Sequence, residues 1–145
     1  MNAAFYVVDE AALPTFQEGA EPVTIIDAIA AHGGAWGRAT TTPAELAAVF
    51  ELLDRRIGSE DFLADMAFVG SPGLVLTGYP GAWRLGWFEA SLVSHLEPAI
   101  DAMEDEIAAD IGAAGPTAGA VLEQFRDALE EARARGFAVA ILHGP

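Results

Sequence analysis

The chain has 145 residues, 52% of them hydrophobic, and sets seven basic side chains, all arginine, against twenty-two acidic ones. The formal charge of −15 excludes an unaided binder of nucleic acid or of an anionic membrane, because phosphates would be repelled. The absence of cysteine excludes disulfides, thiolate metal sites and a cysteine nucleophile.

The length predicts one domain over residues 1–145, large enough to bury about two-thirds of its unfolded surface. A GC-rich coding sequence also produces an alanine-rich, lysine-free composition, and net charge speaks to solubility and association rather than to fold. Residues 1–10 lack the basic region of a secretory signal, and no apolar run approaches the ~18 residues needed to span a bilayer. Together these predict a soluble, cytoplasmic protein without membrane contact.

Ala3 to Val8 reads as a short buried strand ending at Asp9-Glu10. Val23 to His32 has helical spacing, with Gly33-Gly34 placed to stop it. The stretch from His32 to Arg38 then reads as a loop. Thr42-Pro43-Ala44-Glu45 is a helix start: Thr42 caps, Pro43 suits the first turn, and Glu45 can reach back to the cap. Leu46, Val49, Phe50, Leu53 and Ile57 follow at helical spacing and Gly58 closes the segment. Ser59 is placed to cap a short helix carrying Phe62, Leu63 and Met66.

Leu74 to Thr77 and Ala82 to Phe88 read as strands joined through Tyr79-Pro80-Gly81. Trp83, Leu85 and Trp87 share one face of the second, with Arg84 and Phe88 on the other. Leu92, Leu96, Ile100, Met103, Ile107 and Ile111 form a long helical stripe that Pro98 should kink or divide. A loop over Gly112 to Gly119 precedes a last helix with Val121, Leu122, Phe125, Leu129 and Ala132 inward, stopped by Gly136. Phe137 to Leu142 is apolar throughout and predicts a central strand. The order implies an α+β fold: a small mixed sheet of about four strands, with helices packed mainly on one face.

The C-terminal third resembles the YfbM-like family of small bacterial proteins. The resemblance rests on Arg84-Leu85-Gly86-Trp87-Phe88 leading into Leu92-Val93 and Leu96. It continues with Val121-Leu122-Glu123-Gln124-Phe125, running through Ala132-Arg133-Ala134-Arg135-Gly136 into Phe137-Ala138-Val139-Ala140-Ile141. The family's members are small α/β proteins without an agreed biochemical role. The resemblance therefore implies architecture and assigns no catalytic residue.

Three constellations are candidates for function. Glu97, Asp101, Glu104, Asp105, Glu106 and Asp110 crowd one helix, and no lysine or arginine occurs from Leu85 to Gln124. Carboxylates at i, i+4 and i+7 either converge on a divalent ion, with His95 one turn earlier, or form a solvated face. No calcium-loop pattern is present, and no metal is assigned.

Arg38 and His32, beside Gly33, Gly34 and Gly37, offer a small-anion cradle or an ordinary loop. No nucleophile elbow, phosphate loop or dinucleotide fingerprint occurs, so no catalytic residue and no cofactor is assigned. Tyr79, Trp83, Arg84 and Trp87 form either a core plug or a partner-binding surface.

The leading expectation is a non-catalytic acidic module that binds a protein partner, such as an immunity or escort protein for a basic one. The alternative is a small-ligand binder or enzyme with a pocket of Arg38, Arg84 and a histidine. The apolar content also permits a homodimer.

Overall fold

The structure, a computed structural model, describes residues 2–9, 35–60, 62–67, 74–75 and 82–144, with residues 2, 35, 74–75 and 82–84 described by backbone alone. The expected helix over Val23 to His32 and the turn at Tyr79-Pro80-Gly81 lie outside the described residues.

Among the described residues five strands form one sheet: β1 (Asn2–Val8), β2 (Ala35–Thr40), β3 (Leu74–Val75), β4 (Ala82–Phe88) and β5 (Ala138–Gly144), in the order β2-β1-β5-β4-β3. Five described α-helices accompany it: α1 (Pro43–Ile57), α2 (Phe62–Ala67), α3 (Ala90–Ala102), α4 (Glu104–Asp110) and α5 (Ala118–Arg135). A 3-10 turn over Ile111–Ala114 leads into α5. The expected α+β architecture is present.

The sheet is antiparallel in every pairing rather than mixed. The reason lies in the excursion between β4 and β5. Ion pairs join Glu97 to Arg133, and Asp101 and Glu104 to Arg126, so numbers rise along α3 and α4 while they fall along α5. The chain thus travels out along one helix and back along another. It re-enters the sheet at the end where β4 finished, and β5 must run opposite to β4.

β5 is the central strand, as its apolar run predicts, and all seven of its residues are buried. It extends further than expected, because β1 and β4 pair with it as far as His143. His143 is therefore a buried strand residue and not a position beyond the strand. Its Nε2 lies 3.2 Å from the Ala67 carbonyl oxygen at the end of α2. α2 comes this close because Gly86 on β4 has no side chain; a Cβ there would stand 2.7 Å from the same oxygen.

Ala3, Phe5, Val7, Ala39, Phe88, Val139 and Ile141 face the helices and join the main core. Four phenylalanines tie that core together. Phe125 of α5 lies 5.0 Å from Phe50 of α1, 5.1 Å from Phe88 of β4 and 6.3 Å from Phe5 of β1, centroid to centroid. On the other face Tyr6, Val8, Leu85, Trp87, Ala138, Ala140 and Leu142 are buried too, yet none belongs to the cluster beneath the helices.

β2 was not evident from sequence, because a single buried residue, Ala39, interrupts a polar and glycine-rich stretch. The stretch from His32 to Arg38 reads as a loop, whereas Ala35–Thr40 pairs with β1 through a bulge at Phe5/Tyr6. Gly37 serves packing there: a Cβ would fall 1.8 Å from Gln124 Oε1 of α5.

The helix ends depart from expectation in an informative way. Thr42 Oγ1 accepts from the Glu45 amide, and Gly58 closes α1 in the left-handed conformation, both as expected. The Glu45 carboxylate does not return to its own cap. It accepts from the Thr117 amide at 2.9 Å and from the Thr117 hydroxyl, at the start of α5. Because that hydroxyl has one proton, the buried Thr41 hydroxyl donates to Thr117 Oγ1, at 2.8 Å. Gly115, at φ +137°, leaves room for this arrangement.

Ser59 likewise does not cap α2. The carboxylate of Asp54, a buried residue of α1, accepts from the Leu63 and Ala64 amides at 2.8 and 2.9 Å, while Ser59 Oγ donates to it at 2.6 Å. The helix N-terminus supplies unpaired amides and a favourable dipole, so the buried charge is fully coordinated. Pro98 lies inside α3, and the break comes later, at Met103.

Two substitutions test this account by chemical denaturation. Phe125→Ala, which removes the ring common to three aromatic contacts, should cost about 3–5 kcal/mol. Asp54→Asn, which turns one acceptor into a donor facing an amide, should cost about 2–3 kcal/mol, and Ser59→Ala about 1 kcal/mol. A loss under about 1 kcal/mol for Asp54→Asn would remove the capping role.

Candidate functional site

A groove of about 380 Å³ runs between α3 and α4 on one side and α5 on the other. Helical spacing builds it. α3 turns Val93, Leu96 and Ile100 into the core, and α5 buries Val121, Leu122, Phe125, Ala128, Leu129 and Ala132. The shoulders of the two stripes, Ile100, Leu122 and Leu129, form the floor together with Ile111. The next positions around each helix are polar and form the walls.

Glu97 and Asp101 line the α3 wall, and Glu123, Arg126, Asp127 and Glu130 the α5 wall. Five carboxylates thus face one guanidinium, a formal charge of −4 over an apolar floor. The groove's size suits a small ligand or an inserted side chain.

Arg126 spans the groove. Its Nη2 donates to Asp101 at 2.7 Å and its Nη1 to Glu104 at 3.2 Å. The hydrogen bond from Arg126, and next one with Glu97, hold the Asp101 carboxyl below its ordinary value. Burial pulls the Arg126 guanidinium down, but its bonds to Asp101 and Glu104 outweigh that and leave it raised. Nearby, Arg133 bonds Glu97, and Arg56 of α1 bonds Asp110.

The acidic segment is therefore cross-linked by arginines from other elements. Among the described residues no group of three or more histidine, aspartate or glutamate side chains is placed to hold a metal. His95 is exposed, and its Nδ1 lies 2.8 Å from the Ser91 carbonyl oxygen of its own helix.

Arg38 is exposed on β2 and pairs with Ala4, which pairs with Leu142 and through it with Leu85. Arg84 pairs with His143, one register position along. Arg38 and Arg84 thus sit three strands apart in the sheet. His32 and Tyr79 lie outside the described residues, as do the side chains of Trp83 and Arg84.

Trp87 is 7% exposed, in register with Ala140 and, beyond it, Tyr6. Its side chain is therefore buried and leaves little surface for docking. Alternation along β4 correctly places Leu85 and Trp87 apart from Phe88, which belongs to the core beneath the helices.

The α5 wall was missed in the sequence. Glu123, Asp127 and Glu130 recur at i, i+4 and i+7, a signal as regular as that of Glu97, Asp101 and Glu104. What the spacing lacked was the antiparallel pairing of α3 with α5 that brings the two rows together.

No protein-family model, curated protein or solved structure matches the chain. These comparisons give no support to the expected likeness to the YfbM-like family.

Asp101 supplies a pH test. A carboxylate whose folded value is depressed adds stability above its unfolded value of about 3.9, and that stability is lost as pH falls through the folded value. Asp101→Asn should lower the melting temperature slightly at pH 6, as expected for an exposed pair, and the difference should shrink as the pH falls below the ordinary carboxylate range. A difference that does not change with pH down to the acid limit of folding would show that the effect is not one of charge.

Proposed function

We propose that the protein is a non-catalytic binding module that engages a basic protein partner through the acidic groove between α3 and α5. One observation carries this reading: five carboxylates line a concave surface with an apolar floor and a single arginine. Such a surface attracts a cationic side chain electrostatically and covers its aliphatic stem once it arrives.

The overall charge of −15 acts in the same direction at longer range, steering a basic partner and repelling nucleic acid and anionic membranes. An immunity protein or an escort for a basic toxin or enzyme has these requirements. No described helix is long and apolar enough to cross a membrane, which is compatible with the cytoplasmic setting that this role assumes. The docking route through Trp83 and Trp87 loses support from the burial of Trp87.

The test is co-purification from native extract with the unmodified protein and with a Glu123→Gln/Asp127→Asn/Glu130→Gln variant. A partner held at about 50 mM salt should be released at about 500 mM, where the screening length shrinks to a few ångströms. The triple variant should fail to hold it at low salt. Equal retention by the two proteins would move the interface away from this groove.

A further inference from the structure

We infer that Arg126 is an internal placeholder for an arginine of the basic partner, and that the partner's guanidinium displaces it from Asp101 and Glu104. The inference rests on the groove reading above and adds the identity of the occupant and the contact that opposes its entry.

The local chemistry supports it at three points. First, the two nitrogens of one guanidinium already bridge carboxylates from two helices, Asp101 of α3 and Glu104 of α4. This is a fork geometry that arginine satisfies and the point charge of lysine does not. Second, both carboxylates are more than half exposed, at 53% and 60%, while Arg126 is 29% exposed. An incoming group can therefore reach the acceptors without unfolding a helix. Third, Glu123, Asp127 and Glu130 stand on the same helix as Arg126 and line the same groove. When Arg126 swings away from Asp101 and Glu104, these acids remain available to it, so its displacement leaves no stranded charge.

Ion pairs at this exposure are individually weak, and exchanging one guanidinium for another is nearly balanced. Such an exchange is reversible and responds to partner concentration. Arg126 also lowers the groove's negative charge in the free protein, so smaller cations meet competition at the same acceptors.

The experiment is fluorescence-polarisation binding of a labelled octa-arginine peptide at low salt, with octa-lysine as the comparison. Arg126→Gln should bind octa-arginine about tenfold more tightly than the unmodified protein, equivalent to about 1.4 kcal/mol. Arg135→Gln removes the same charge from a pair made within α5, Arg135 with Glu131, away from the groove. It should raise affinity clearly less than Arg126→Gln does, because it frees no acceptor in the groove. Octa-lysine should gain less than octa-arginine from Arg126→Gln.

Equal gains in Arg126→Gln and Arg135→Gln, or no gain in either, overturn the placeholder role. An equal gain for octa-lysine overturns the preference for a guanidinium. In these cases the groove reading stands if the triple wall variant still loses octa-arginine binding, and it falls if that variant binds as tightly as the unmodified protein. Thermal melts confirm that each variant is folded. If Arg126→Gln is not, Arg126→Lys, which keeps the charge but loses the fork, should show a smaller gain in the same direction, and no gain overturns the proposal.

Discussion

The contact of Phe125 with Phe50, Phe88 and Phe5 is the constraint on which the rest of the molecule depends. These rings come from α5, α1, β4 and β1, elements separated by most of the chain. Their tilted and edge-on arrangement seats α5 across the sheet at one depth and one rotation. Once that rotation is set, the opposite side of α5 presents Glu123, Arg126, Asp127 and Glu130 towards α3. The groove is thus a consequence of how the core packs.

Polar groups reinforce the same arrangement at the helix ends. Glu45 of α1 holds the start of α5 through Thr117, and Asp54 of α1 holds the start of α2. Each is a carboxylate from one helix coordinating the amides of another, so α1 acts as a strut to which two later helices are fastened. The short α2 in turn reaches the sheet at Gly86 and His143. Charge is used inside the fold for position, while α3, α4 and α5 carry ten acidic residues against three arginines.

The arginines divide the acidic surface into two populations. Arg56, Arg126, Arg133 and Arg135 each pair with carboxylates, three of them across helices. Each such pair limits repulsion where helices approach. The α5 wall of the groove, by contrast, carries more acid than its single arginine can balance. An unbalanced field over an apolar floor is what a cationic, partly aliphatic side chain complements, and it is the physical basis of the proposed role.

Several features were legible in the residues alone, because their causes are local. Thr42, Pro43 and Gly58 bounded α1, Gly136 ended α5, the apolar run of β5 marked the central strand, and alternation assigned Leu85, Trp87 and Phe88 to their faces. Each depends on spacing or on one residue's backbone preference. What tertiary structure decided depends on pairs distant in the chain. β2 became a strand because β1 offered it an edge and Gly37 left room for Gln124. Glu45 capped a helix other than the one its spacing suggested, and Asp54 took the capping place expected of Ser59, since a carboxylate binds whichever amides packing brings to it. The acidic row of α3 became a groove wall because the out-and-back path of the chain laid the arginines and acids of α5 beside it. Sequence spacing records what one helix can present; only the packed core determines what stands opposite.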